Sequence, residues 1–404
     1  MITPSISPPP VALRPWRLAT GLLLAWLGGT LLASCGGGVG TGGTGSFGSG
    51  PVSGFGSIFV GGIEFDDSQA TVVDDDGVAL PAAHASLRLG AMSEVEGGAV
   101  VDGPAGPTAV AETVRLTRLV VGPVTAVDVS RRTLNVLGQT LHVNGSTVFD
   151  ESMRAGLAGL HVGDVVSAHA LADAAGQPVA TRIEPAAMGE AWRIRGFVAG
   201  FNPSARRFSI GAATLDVSNA ANVPAGLAEG QYVHVKLMNA ANFVSGSALT
   251  VSRFVPASAT PLDAVRVAIE GVVVAPSSQG NFRIGAIAVD GSGATVLPAS
   301  AALVAGAQAQ VEGRLQANTL VASKVTLLTP QQADQRSYRL AGMVTALNVA
   351  GQTFVLRNVG IDYSAARFVN GTAGALAFPS ISVHVQGRLS ADGTRVQANL
   401  IVLP

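Results

Sequence analysis

The chain has 404 residues, of which 48% are hydrophobic, 13% charged and 5% aromatic. That charge content is about half the roughly 25% of an ordinary soluble domain, so the core has to be built from Val, Leu, Ile and Ala. A formal net charge of −1, with Lys236 and Lys324 as the only lysines, excludes a basic field that would gather nucleic acid or an acidic membrane surface. The single cysteine, Cys35, excludes an intramolecular disulfide and a cysteine-based zinc centre.

Arg14 and Arg17 precede an apolar run from Leu18 to about Ala33. The run is shorter than the roughly 20 residues that span a bilayer, and it ends in small residues. A positive start, an apolar middle and a small-residue end make the layout of a secretory signal over 1–34. The end of the run, Leu32-Ala33-Ser34-Cys35 followed by Gly36, resembles the bacterial lipobox. The resemblance implies cleavage between Ser34 and Cys35 and lipid on the Cys35 thiol, which makes the membrane a partner. Each buried methylene contributes roughly 0.8 kcal/mol, so several acyl chains on one residue hold where one would not. An uncleaved membrane helix with a chance cysteine is the alternative. Because Arg14 and Arg17 are not adjacent, the general secretion route is expected, not the twin-arginine route. Gly36 stands where an Asp is linked to inner-membrane retention, so an outer-membrane anchor facing the periplasm is expected, with surface exposure left open.

From Gly36 to about Gly54 the chain is Gly/Ser/Thr-rich. Such composition cannot bury a core, and 35–54 reads as a flexible tether with a reach of roughly 25 Å. The stretch lacks the Lys-Ser/Thr ending of a phosphate-binding loop.

The body repeats with a period of about 70–75 residues. The clearest unit, 119–187, contains Val121-Gly122-Pro123-Val124, Thr133-Leu134-Asn135-Val136, Leu141-His142-Val143, Val162-Gly163-Asp164-Val165-Val166 and Val179-Ala180-Thr181-Arg182-Ile183. The order recurs in 191–257 (Ile194-Arg195-Gly196), 266–330 (Ile269-Glu270-Gly271) and 338–404 (Leu340-Ala341-Gly342). A divergent first copy occupies 55–118. Val311 and Val385 are expected to face one way, Glu312 and Gln386 the other. This period of two, with many Val, Ile and Thr, predicts half-buried strands. Glu151 to Leu160 reads as one short helix or turn. Five or six short strands per unit predict an all-β chain of tandem OB-like barrels, each with a short helix between strands three and four. Sandwiches, or barrels that merge strands across units, are the alternatives.

These motifs resemble the bacterial domain family of unknown function DUF5666. The resemblance is carried by Leu160-His161-Val162-Gly163-Asp164-Val165-Val166 and the strands around it. Ala168 and Ala170 depart from the family's usual valine and glycine, Gln231 replaces an Asp, and the fifth unit lacks the glycine before its fourth strand and has Phe378-Pro379 near there. The family's motifs are structural and bring no catalytic residues.

No reactive constellation stands out. His84, His142, His161, His169, His234 and His384 lack metal-ligand spacing, and His234 with His384 occupies a related fourth-strand position that predicts a shared packing environment. Asp74-Asp75-Asp76-Gly77 lacks the distal Glu of a calcium loop and predicts a hairpin turn with Gly77 at positive φ. No serine sits in a strand-to-helix elbow, and Asn144 and Asn370 read as turn residues. Aromatics are too few for a nucleic-acid stacking platform. The expected function is therefore a non-enzymatic envelope lipoprotein without metal or cofactor, whose barrels bind or space an envelope protein or glycan. An envelope enzyme or accessory subunit with a site at an inter-unit junction, and an adhesin-like surface protein, are the competing readings.

Overall fold

The computed structural model describes residues 45–81, 86–104, 106–172, 177–239, 244–256 and 265–404. Cys35 and the lipobox residues Leu32, Ala33 and Ser34 lie outside them, as does His84. Among the described residues, no helix is long and apolar enough to cross a membrane.

The period-two pattern becomes strand throughout. In unit 2, Leu134, Val136 and Leu141 are wholly buried, while Thr133, Asn135 and Thr140 between them are not. Val311 and Val385 are likewise buried, and Glu312 and Gln386 are half-exposed.

Unit 2 has five main strands: Val120–Asp128, Thr133–Val136, Gln139–His142, Val165–Ala172 and Pro178–Pro185. Strand one pairs with strands two and four, strand two with three, three with five, and five with four. The circuit closes, which removes free sheet edges. The pairing of strands three and five is parallel and so needs a crossover. That crossover holds the 3-10 turn Gly156–Gly159, the short helical element expected there. Unit 4 closes in the same order. Units 3 and 5 do so with strand one broken in two.

One backbone clasp marks every unit. Val52, Val124, Val198 and Val273, just past the bend of strand one, each accept from the glycine that precedes strand four: Gly90, Gly163, Gly230 and Gly306. These valines donate in turn to the carbonyl of the residue after that glycine, at 2.8–2.9 Å. The four glycines have φ between +75 and +99. In unit 5 Ser380, at φ +58, takes the glycine's position, and Val344 keeps the second hydrogen bond.

The clasp at Val52 overturns the expected boundary of unit 1. Its first strand is Ser46–Pro51, within the segment read as tether, so the unit does not begin at residue 55. The strand pairs antiparallel with Met92–Gly97 and parallel with Arg266–Val274 of unit 4. Its Phe47 side chain joins the core of unit 4. Glycine serves here because neighbouring chains come too close for a side chain. A Cβ on Gly54 would lie 2.2 Å from the Arg339 carbonyl oxygen, one on Gly56 2.7 Å from Ala341 Cβ, and one on Gly61 2.4 Å from the Ala268 carbonyl oxygen.

The barrels share strands and cores. Gly54–Phe55 pairs parallel with Tyr338–Met343 of unit 5, and strand one of unit 2 pairs antiparallel with Arg193–Phe197 of unit 3. Units 1 and 5 have one continuous apolar core, and units 2 and 3 another. Strands therefore merge across units, as in one of the alternatives above. A short helix, Pro330–Asp334, unforeseen from periodicity, links units 4 and 5. Its capping box is made by Thr329 and Gln332.

Candidate functional site

The polar side chains that are buried gather at the junctions between units. The turn at Asp74 is the first case. Asp74 Oδ1 accepts from the Asp76 and Val78 amides, and Gly77 stands at φ +78, so the expected turn is present. Its neighbours have a role that the sequence did not suggest. Asp75, fully buried in unit 1, accepts from Arg118 Nε at 3.0 Å, Arg193 Nη1 at 3.0 Å and Arg195 Nη2 at 2.6 Å. Asp76 accepts from Lys236 and, at 3.0 Å, from Arg253 Nη2. All but Arg118 belong to unit 3. Burial would raise the Asp75 carboxyl, but Arg195 and Arg118 outweigh it and hold the group at about 2.

His234 packs beside this cluster. Burial, and then the charge of Arg195, pushes its imidazole down to about 3, so it is neutral. His384 occupies the matching place in unit 5, opposite Ala341 as His234 is opposite Arg195, yet it is exposed. The shared environment expected for these two histidines is not found. Strand position repeats, but in unit 3 the Asp75-Asp76 turn of unit 1 packs over it.

A second cluster joins units 1 and 2. The Arg182 side chain is 2% exposed and donates to Glu184 Oε2 at 2.6 Å, Asp150 Oδ2 at 2.7 Å and the Leu89 carbonyl at 3.4 Å. His169 lies buried alongside, its Nδ1 2.7 Å from the Thr117 carbonyl and its Nε2 3.7 Å from Glu184 Oε1. Burial works against ionised Glu184, but the His169 hydrogen bond and Arg182 keep its carboxyl well below the usual range.

The third cluster lies at the floor of a cleft. Glu270 of unit 4 is buried and accepts from Gln308 at 2.9 Å, Gln310 at 3.1 Å and both terminal nitrogens of Arg336. Burial opposes its charge, but Arg336 and the two amides keep the carboxyl ionised. Glu270 and Arg195 occupy the same repeat position, immediately before the strand-one glycine. That position faces outward from its own barrel and meets a neighbour. The cleft above Glu270 measures about 570 Å³ and lies among units 1, 4 and 5. Another, of about 620 Å³, lies between units 2 and 5, and Gln335, Arg336 and Arg388 line both.

Among the described residues, no group of three His, Cys, Asp or Glu side chains is placed to hold a metal ion. His142, His161, His169, His234 and His384 are not brought together. Asp75 and Asp76 are occupied by cations of the chain itself. Glu270, locked by three donors, is fixed as an anion, which suits holding a structure and not passing a proton.

The strand circuit, the 3-10 crossover and the repeated clasp define a chain of tandem OB-like β-barrels. Two segments, 121–184 and 270–326, match the family described as Domain of unknown function (DUF5666), and they coincide with units 2 and 4. The chain thus carries DUF5666-like domains in tandem. A solved structure titled "drosophila Unr CSD456" is similar at 12% identity, over 53% of this chain and 98% of that one, with a TM-score of 0.15. Comparison with curated proteins finds no match.

Proposed function

We propose that this protein is a cell-envelope lipoprotein, anchored through lipid on Cys35, whose barrels form one non-catalytic body for binding and spacing. The anchor is supported by Leu32-Ala33-Ser34-Cys35 at the end of an apolar run with two preceding arginines. The body's role is supported best by one observation: strand one of unit 1 is shared with unit 4 through parallel pairing over Ser46–Ser49. Barrels joined by shared strands hold fixed distances, which beads on flexible linkers do not. The proposed non-catalytic role agrees with the buried carboxylates Asp75 and Glu270 and the half-buried Glu184, each committed to an arginine. Nucleic acid is no part of this reading, because the net charge is −1 and many arginines are neutralised internally. The outer membrane, facing the periplasm, is the proposed address.

The test is metabolic labelling with a fatty-acid analogue in a bacterial host, followed by membrane fractionation. Wild type should carry the label and sediment with membranes, and Cys35→Ala should do neither. Label retained by Cys35→Ala would refute the anchor.

A further inference from the structure

We propose that the cleft among units 1, 4 and 5 binds an acidic saccharide, because two arginines without carboxylate partners stand there beside carboxamides and an aromatic ring. The inference rests on the reading of the body as a binding array, and it is independent of the lipid.

The arginines at the centre of the three clusters are paired. Arg182, Arg193, Arg195 and Arg336 each face a carboxylate at close range. Arg339 and Arg388 line the cleft at exposed positions and lack such a carboxylate partner. Arg388 Nη1 donates to the neutral Gln335 side chain at 3.0 Å, and neither arginine has an ion pair among the described residues. The charged lining counts three guanidiniums against two carboxylates, Glu64 and Glu270. Glu270 cancels Arg336, so the cleft keeps a positive excess. A guanidinium presents a planar fork of donors that matches a carboxylate or phosphate group.

The remaining lining selects more than charge. Gln331, Gln335 and Gln386 contribute carboxamides, each able to donate and accept. Sugar hydroxyls also donate and accept, so amide walls suit them and would be wasted on an aliphatic anion. Phe59 adds a half-buried apolar ring against which a sugar face can lie. The volume, about 570 Å³, falls in the range of small-ligand sites and has room for a short oligosaccharide. The walls belong to three barrels that share strands, so the donors are positioned before a ligand arrives.

The experiment is calorimetric titration of the full-length chain in detergent micelles with trigalacturonate, maltotriose and inorganic phosphate in turn. Trigalacturonate should bind, with maltotriose and phosphate each weaker by about tenfold or more. Arg339→Gln and Arg388→Gln, both at exposed positions, should each weaken trigalacturonate by about tenfold with an unchanged melting temperature. Absence of trigalacturonate binding, or equal binding to both variants and wild type, would overturn the site. Equal affinity for maltotriose would overturn the acidic requirement, and equal affinity for phosphate would overturn the saccharide. Lipid labelling separates the two proposals: binding with no label refutes only the anchor, and label with no binding refutes only this cleft.

Discussion

Asp75 Oδ1 accepts a hydrogen bond from Arg195 Nη2 at 2.6 Å, across 120 residues of chain and between two barrels. Arg118 and Arg193 complete the ring of cations around the same carboxylate. Asp75→Asn keeps the shape and removes the charge, leaving Arg195 without its carboxylate and Arg118 and Arg193 with Glu190 alone. Breaking a buried ion pair from one side costs about 3–5 kcal/mol. An unfolding free energy, measured by denaturant titration, lowered by about that amount is expected. A loss below about 1 kcal/mol, as for a surface pair, would show that the cluster does not hold unit 1 to unit 3.

Stability should fall on mild acidification, and His234 should be the first cause. Its folded imidazole titrates at about 3, against 6.5 ordinarily, because burial and then Arg195 disfavour the cation. Between those values the unfolded chain binds the proton and the folded chain does not. The contribution is therefore complete above pH 6.5 and is lost progressively as pH falls towards 3. Asp75, held at about 2 against 3.8, adds a second loss only below about pH 4. Melting temperature measured from pH 7 to pH 5 should decline in wild type and decline less in His234→Gln. Parallel declines would assign the acid sensitivity to other groups.

Three glycines near the start of unit 1 should be irreplaceable for a steric reason. Gly54→Ala and Gly61→Ala each drive a methyl group into a backbone oxygen of a neighbouring unit. Such overpacking costs about 1–3 kcal/mol or more, and Gly56→Ala should follow them against Ala341. Gly98→Ala meets nothing within 4 Å and has ordinary backbone angles, so its effect should stay within about 0.5 kcal/mol. Equal effects from all four substitutions, read by urea denaturation, would contradict the close approach of unit 1 to units 4 and 5.

The barrels were legible because a half-buried strand has to alternate, and Leu134, Val136 and Leu141 do so visibly. The crossover and the turn at Gly77 were legible for similar local reasons. The junctions were not. Asp75 and Arg195 carry no local sign that they will meet, since the pairing depends on how whole barrels dock. The Gly-rich segment reads as tether from sequence because a tether and a crowded junction favour the same residue. One signal was available: Gly50-Pro51-Val52 repeats Gly122-Pro123-Val124, and both valines make the clasp. His234 and His384 teach the converse, since the same repeat position is buried in unit 3 and exposed in unit 5.

The fused body depends on Ser46–Pro51 being a strand shared by units 1 and 4, not the end of a tether. Hydrogen exchange at the amides of Phe47, Gly48 and Ser49, compared with Val267, Ala268 and Ile269 opposite them, tests this most directly. A shared strand opens only with the body, so both sets should exchange slowly and together. Complete exchange of Phe47–Ser49 at the earliest time point, with Val267–Ile269 still protected, would return the segment to the tether and leave the barrels without their central strand.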